Sequence, residues 1–123
     1  MKETVDEKPV FDKADLMERL DYDQSLAVEL AELFIADVRG KLVSLNAAVK
    51  EKNSADIEKE GHSLKGAASN ISGERVRHIA GVIEAAGKNN DLAGAVAALA
   101  VLGPAVDALI DALNAQVVVP GGK

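Results

Sequence analysis

The sequence predicts an all-α fold, an antiparallel up-and-down four-helix bundle with a short extra N-terminal helix, and three observations carry that prediction. Apolar residues make up 48% of the 123, mostly Ala, Val, Leu and Ile, with Phe11, Tyr22 and Phe34 the only aromatics. Such a composition suits aliphatic layers between packed helices. These residues recur every three or four positions over four long segments, the period of a helix with one buried stripe. Loops of about three to five residues join the segments, which makes successive helices antiparallel neighbours.

Residues 1–10 are charged, contain Pro9 and show no period, so a flexible lead-in without a role is expected there. Asp12 is suited to cap a short helix marked by Leu16 and Leu20, which ends near Asp21 and Tyr22. Asp23 precedes a long segment whose stripe is Leu26, Leu30, Leu33, Phe34, Val38, Leu42, Leu45 and Val49. Gly40 is its weak point, since a helical glycine costs about 1 kcal/mol relative to alanine, so one helix or two nearly collinear ones are expected. Lys50, Lys52 and Asn53 supply a positive last turn and a stop. Ser54 opens the next helix, whose stripe Ile57, Gly61, Leu64, Ala68 and Ile71 ends at Ser72 and Gly73. Val76, Ile79, Ala80, Ile83 and Ala86 define a further helix that runs out at Lys88, Asn89 and Asn90, and Asp91 caps the last one. There Leu92, Val96, Leu99, Leu102, Val106, Leu109, Ile110 and Leu113 form the stripe. Pro104 removes the backbone donor to residue 100, which predicts a kink or a break. One domain over residues 11–116 is expected, with a flexible tail over 117–123.

The length fits a single core. The absence of cysteine excludes disulfides, thiolate metal sites and a cysteine nucleophile, and fits a reducing cytoplasm. The N-terminus MKETVDEKPVFD has no apolar run behind its charges, and no stretch approaches the roughly 20 continuous apolar residues of a membrane span. A cytoplasmic protein with no membrane partner is therefore expected. A formal charge of −6 argues against a nucleic-acid partner.

At about 100° per residue, His62 lies about 140° from its helix's apolar stripe, on the solvent face. Glu58, Lys65, Gly66 and Ser69 are its neighbours on the helical lattice. Exposed histidines are usually inert, but these surroundings change the weighting. Gly66 weakens a helix and points outward, where core packing does not explain it; a side chain is left out so that another surface can come close. Lys65 is by default a solvated lysine, yet one turn from His62 its ammonium reaches a phosphoryl group carried on the ring. Ser69 and Asn70 either bind that group or end the helix, with capping the better reading for Asn70. His78 lacks the Lys-Gly company and reads as an ordinary surface residue. A metal-binding bundle needs inward Glu-x-x-His pairs, whereas Glu58 precedes His62 by four and both face out. No Gly-rich nucleotide loop or GxxxxGK[ST] segment supports a kinase.

The run Gly61-His62-Ser63-Leu64-Lys65-Gly66-Ala67-Ala68-Ser69-Asn70-Ile71 resembles the His-x-Leu-Lys-Gly segment of the histidine phosphotransfer family. The likeness continues through Val76, Ala80 and Ile83-Glu84 to the Asn90-Asp91 turn, and spans Phe11 to Asn114. It implies that His62 is the phospho-acceptor, with Lys65 stabilising the phosphoryl group and Glu58, Gly66 and Ser69 meeting the partner. By the same resemblance, the phosphoryl group comes from a receiver-domain phosphoaspartate and passes to another receiver by in-line attack. The implied partners are response-regulator receiver domains and a sensor or hybrid histidine kinase. The resemblance also implies a monomer with no cofactor or metal, Mg2+ sitting on the receiver, and no nucleotide-binding or hydrolytic site, hence a carrier rather than an enzyme. The alternative is a helical adaptor that docks receivers without carrying phosphate. Gly61 stands where the family more often has alanine, which would loosen the helix beside the site, and Gly103-Pro104 is not a family feature.

Overall fold

The computed structural model describes residues 8–118, and every regular element among them is helical. The elements are α1 (Lys13–Arg19), α2 (Gln24–Lys50), α3 (Ser54–Asn70), α4 (Glu74–Lys88) and α5 (Leu92–Gln116). Four starts are set by a side-chain oxygen that takes an otherwise unpaired N–H: Asp12 accepts from Asp15, Asp23 from Leu26, Asn53 from Asp56 and Asp91 from Gly94. Asn53, expected as a stop, therefore starts α3, and Ser54 is its first helical residue. Asn70, expected as a cap, is still helical; the chain turns at Ser72, whose φ is 58°.

α3 packs against α4 and α2, and α5 packs against α4 and α2. The buried faces are rotated from the leucine-weighted stripes. On α2, Ala27, Ala31 and Ala48 are buried, while Leu26 and Leu33 are 36% and 64% exposed. On α5, Ala95, Ala98 and Ala105 are buried and Val96 is 51% exposed. Helices that approach closely select small side chains along the line of contact, so alanine rather than leucine marks the seam. Gly40, with open space around it, does not interrupt α2. Nor does Pro104 break α5, which runs on as one element. Gly103 has no Cβ for the proline ring to strike, and buried Leu102, Ala105 and Val106 hold both sides of the missing hydrogen bond.

α5 is long and apolar enough to cross a membrane by length and composition, against the expectation that no stretch qualifies. Here Leu102, Val106, Leu109 and Leu113 on that helix are fully buried among the other helices. The tail expected over 117–123 does not begin at Val117, which is 2% exposed and whose carbonyl accepts from Gln24 Nε2; residues 119–123 lie outside the described residues. Within the expected lead-in, residues 1–7 lie outside as well. Val10 packs on the core, and the carbonyls of Lys8 and Pro9 accept from Nε and N of Arg75.

Two features position the site. A Cβ on Gly61 would stand 2.8 Å from the backbone nitrogen of Glu84 and 3.2 Å from the carbonyl of Ala80. A Cβ on Gly87 would likewise meet the backbone of Glu58, 2.8 Å from its Cα. The backbones of α3 and α4 thus touch at two points. Far from loosening α3, Gly61 is what lets α4 lie against it. At the other end, buried Ser72 donates to Asp15 (2.8 Å) and accepts from Arg19 (2.6 Å), and Arg19 also donates to the carbonyls of Ser69 and Asn70. α1 thereby satisfies carbonyls that the last turn of α3 leaves open.

Candidate functional site

Because Ile57, Gly61, Leu64 and Ala68 turn inward, His62 turns out, and its side chain is 71% exposed. Its Nδ1 lies 2.9 Å from Oε2 of Glu84 on α4. The other oxygen of the same carboxylate, Oε1, is 2.6 Å from Nζ of Lys65. The lysine reaches it by crossing α4 at Gly81, where a Cβ would lie 3.5 Å from Lys65 Cδ. One carboxylate, 21% exposed, thus holds both of the side chains singled out in α3.

The electrostatics assign the proton. The Lys65 hydrogen bond holds the Glu84 carboxyl below the usual carboxylate range, outweighing partial burial, and the His62 hydrogen bond pulls the same way. An ionised carboxylate only accepts. Nδ1 must therefore be the donor, which in the neutral ring leaves the lone pair on Nε2. Nε2 has no hydrogen-bond partner among the described residues, so the arrangement offers solvent a nucleophilic nitrogen on an oriented ring.

The remaining expected residues divide. Glu58, with Ala55 and Lys59, lines a shallow depression beside His62 and Glu84. Gly66 is exposed, and a Cβ there would meet nothing within 4 Å, so no neighbour within the chain requires a glycine. Ser69 is exposed, and its carbonyl accepts from Arg19 and from the backbone N–H of Ser72. Asn70 lies on the other flank of α3, lining a groove against Leu30, Leu33 and Lys41 of α2. His78, expected at the surface, is half-buried and joins none of these contacts. Among the described residues, no group of three or more His, Cys, Asp or Glu side chains converges on a metal position.

Glu84, which the family likeness takes in with Ile83, is the residue to which the sequence assigned no role in the site. Its signal was indirect: an acid next to the buried Ile83, on the helix whose closeness is set by two glycines.

A family model described as the Hpt domain matches residues 29–116, which takes in α3, α4, α5 and most of α2. Among solved structures, the histidine-containing phosphotransfer protein B from Pseudomonas aeruginosa PAO1 is similar, with a TM-score of 0.81 at 19% identity. The alignment covers 88% of this chain and 94% of that one, and at such identity the likeness is one of fold. No curated protein gives a significant match.

Proposed function

Since the chain belongs to the Hpt domain family and is a histidine phosphotransfer protein of a phosphorelay, we propose that His62 is the residue that carries its phosphoryl group. The hydrogen bond from Nδ1 to Glu84 supports this reading, because it frees Nε2 on an exposed ring. The partners of the family are receiver domains and histidine kinases. A receiver's aspartyl phosphate is an activated mixed anhydride. Nε2 attacks phosphorus in line, the P–O bond to the aspartate breaks, and its electron pair stays on the aspartate carboxylate. The ring becomes cationic and keeps its Nδ1 proton against Glu84. Lys65, already within one turn, moves its ammonium from Glu84 towards the phosphoryl oxygens. Open space outside Gly66 admits the receiver's loops, with Glu58 and Ser69 at the rim of that approach.

In this reading Mg2+ belongs to the receiver, and the chain itself contributes no metal, nucleotide-binding or hydrolytic site. The architecture is an antiparallel up-and-down bundle of α2–α5 with α1 as a short extra helix, working as a cytoplasmic monomer. Incubation with a phosphorylated receiver tests the carrier role: acid-labile label is expected on the parent and none on His62→Gln. The variant should melt within about 0.5 kcal/mol of the parent, because the side chain is exposed. Label retained by the variant ends the reading, and absence of label from both favours an adaptor that only docks receivers.

A further inference from the structure

We propose that Glu84 sets the lifetime of the phosphoryl group on His62, holding a proton at Nδ1 so that the phosphorylated ring stays in the form that releases phosphate. The inference rests on His62 being the carrier. It starts from the 2.9 Å contact between Nδ1 and Oε2 and the 2.6 Å contact between Oε1 and Lys65.

The chemistry of release turns on that proton. An oxygen nucleophile, either a receiver carboxylate or water, attacks phosphorus; the Nε2–P bond breaks and its electron pair returns to Nε2. When water attacks, its surplus proton passes to solvent. With Nδ1 protonated, the departing group is a neutral imidazole. Without that proton it is an imidazolate anion, a far poorer leaving group. A carboxylate against Nδ1–H favours the protonated, cationic ring. Glu84 is thus a positioning residue that acts through the ring and never touches phosphorus.

The charged groups around the ring leave this role to Glu84. From α3 itself, Glu58 and Lys59 stand beside the ring as one acid and one base, and Lys65 acts through Glu84. From α4, Glu84 is the charged residue lining the depression. From α2, Lys41 is turned to Ser63 (2.8 Å) with Asp37 beside it, on the other flank of α3. From α1, Arg19 is bound at the far end of α3 by Asp15 and Ser72. Before transfer the Glu84 carboxyl is held low by Lys65; after transfer, with the lysine drawn to the phosphoryl oxygens, the Nδ1–H of the cationic ring remains against it.

The test uses the whole chain labelled with phosphoramidate, a small donor that phosphorylates imidazoles without a receiver. Excess donor is removed, and phosphohistidine is followed by phosphorus NMR between about pH 5 and 9, in the parent and in Glu84→Gln. Glutamine keeps an oxygen that accepts from Nδ1–H and loses only the charge; circular dichroism checks that helicity is retained. The pH profile of loss is expected to move to lower pH in the variant, because the opposite charge against Nδ1–H is gone. Near neutral pH that is a longer lifetime. Label on His62 in both proteins with superimposable pH profiles overturns the role of Glu84 and leaves His62 as the carrier. Failure of His62 in the parent to take label removes the carrier reading, and this inference with it.

Discussion

Lys65 is bound to Glu84 at 2.6 Å with its side chain 38% exposed, so its charge is near the reacting atoms but within reach of solvent and salt. Replacing it with alanine is expected to slow transfer from a phospho-receiver by about tenfold, less than the loss of a fully enclosed donor. Rapid-quench rates should show the deficit shrinking as salt rises, with melting temperature little changed. A parent-like rate at low salt removes Lys65 from the reaction. This residue, His62 and Gly66 were legible in the sequence because all three lie on one helix, where spacing alone decides which side chains share a face. Glu84 was not, because its place depends on how far α4 is shifted and turned against α3. That register is set by contacts at Gly61 and Gly87, which no single helix reveals.

At the scale of the helices, two glycines inside α2 and α3 should respond in opposite ways to the same change. Gly40→Ala adds a methyl group to open space and is expected to stabilise the protein by up to about 1 kcal/mol through helix propensity. Gly61→Ala gains the same propensity but drives Cβ into the Glu84 backbone. It should destabilise by about 1–3 kcal/mol, the usual range for overpacking, and pull Glu84 from His62. Urea titration of the two variants checks the signs; equal stabilisation by both means that α3 and α4 are not in backbone contact. Helix number, order and most ends were readable from period and capping residues. The rotation of the buried faces on α2 and α5 was not, since it turns on alanines whose burial is a matter of helix approach rather than hydrophobicity. The break that Pro104 allowed does not occur for a related reason: tertiary packing around Leu102 and Val106 holds the helix together across it.

For the whole molecule, acid is the condition that tests how α1 is joined to the rest. Hydrogen bonds from Ser72, and then Arg19, lower the Asp15 carboxyl, so it binds its proton less readily folded than unfolded. A depressed carboxylate contributes stability that is complete above its unfolded value and is lost as pH falls through the folded one. The loss therefore falls at and below the ordinary carboxylate range, and neutral pH should not disturb it. Asp15→Asn is expected to flatten the acid limb of the stability–pH curve measured by urea midpoints; an unchanged limb means that the contact adds nothing. A partly folded or misregistered chain keeps His62 and Lys65 together on α3, but one residue of slip in α4 swings Glu84 about 100° aside. The imidazole then lacks the Glu84 contact at Nδ1. If His62 is the carrier, the contact that orients its ring is therefore made only once α4 has docked on α3.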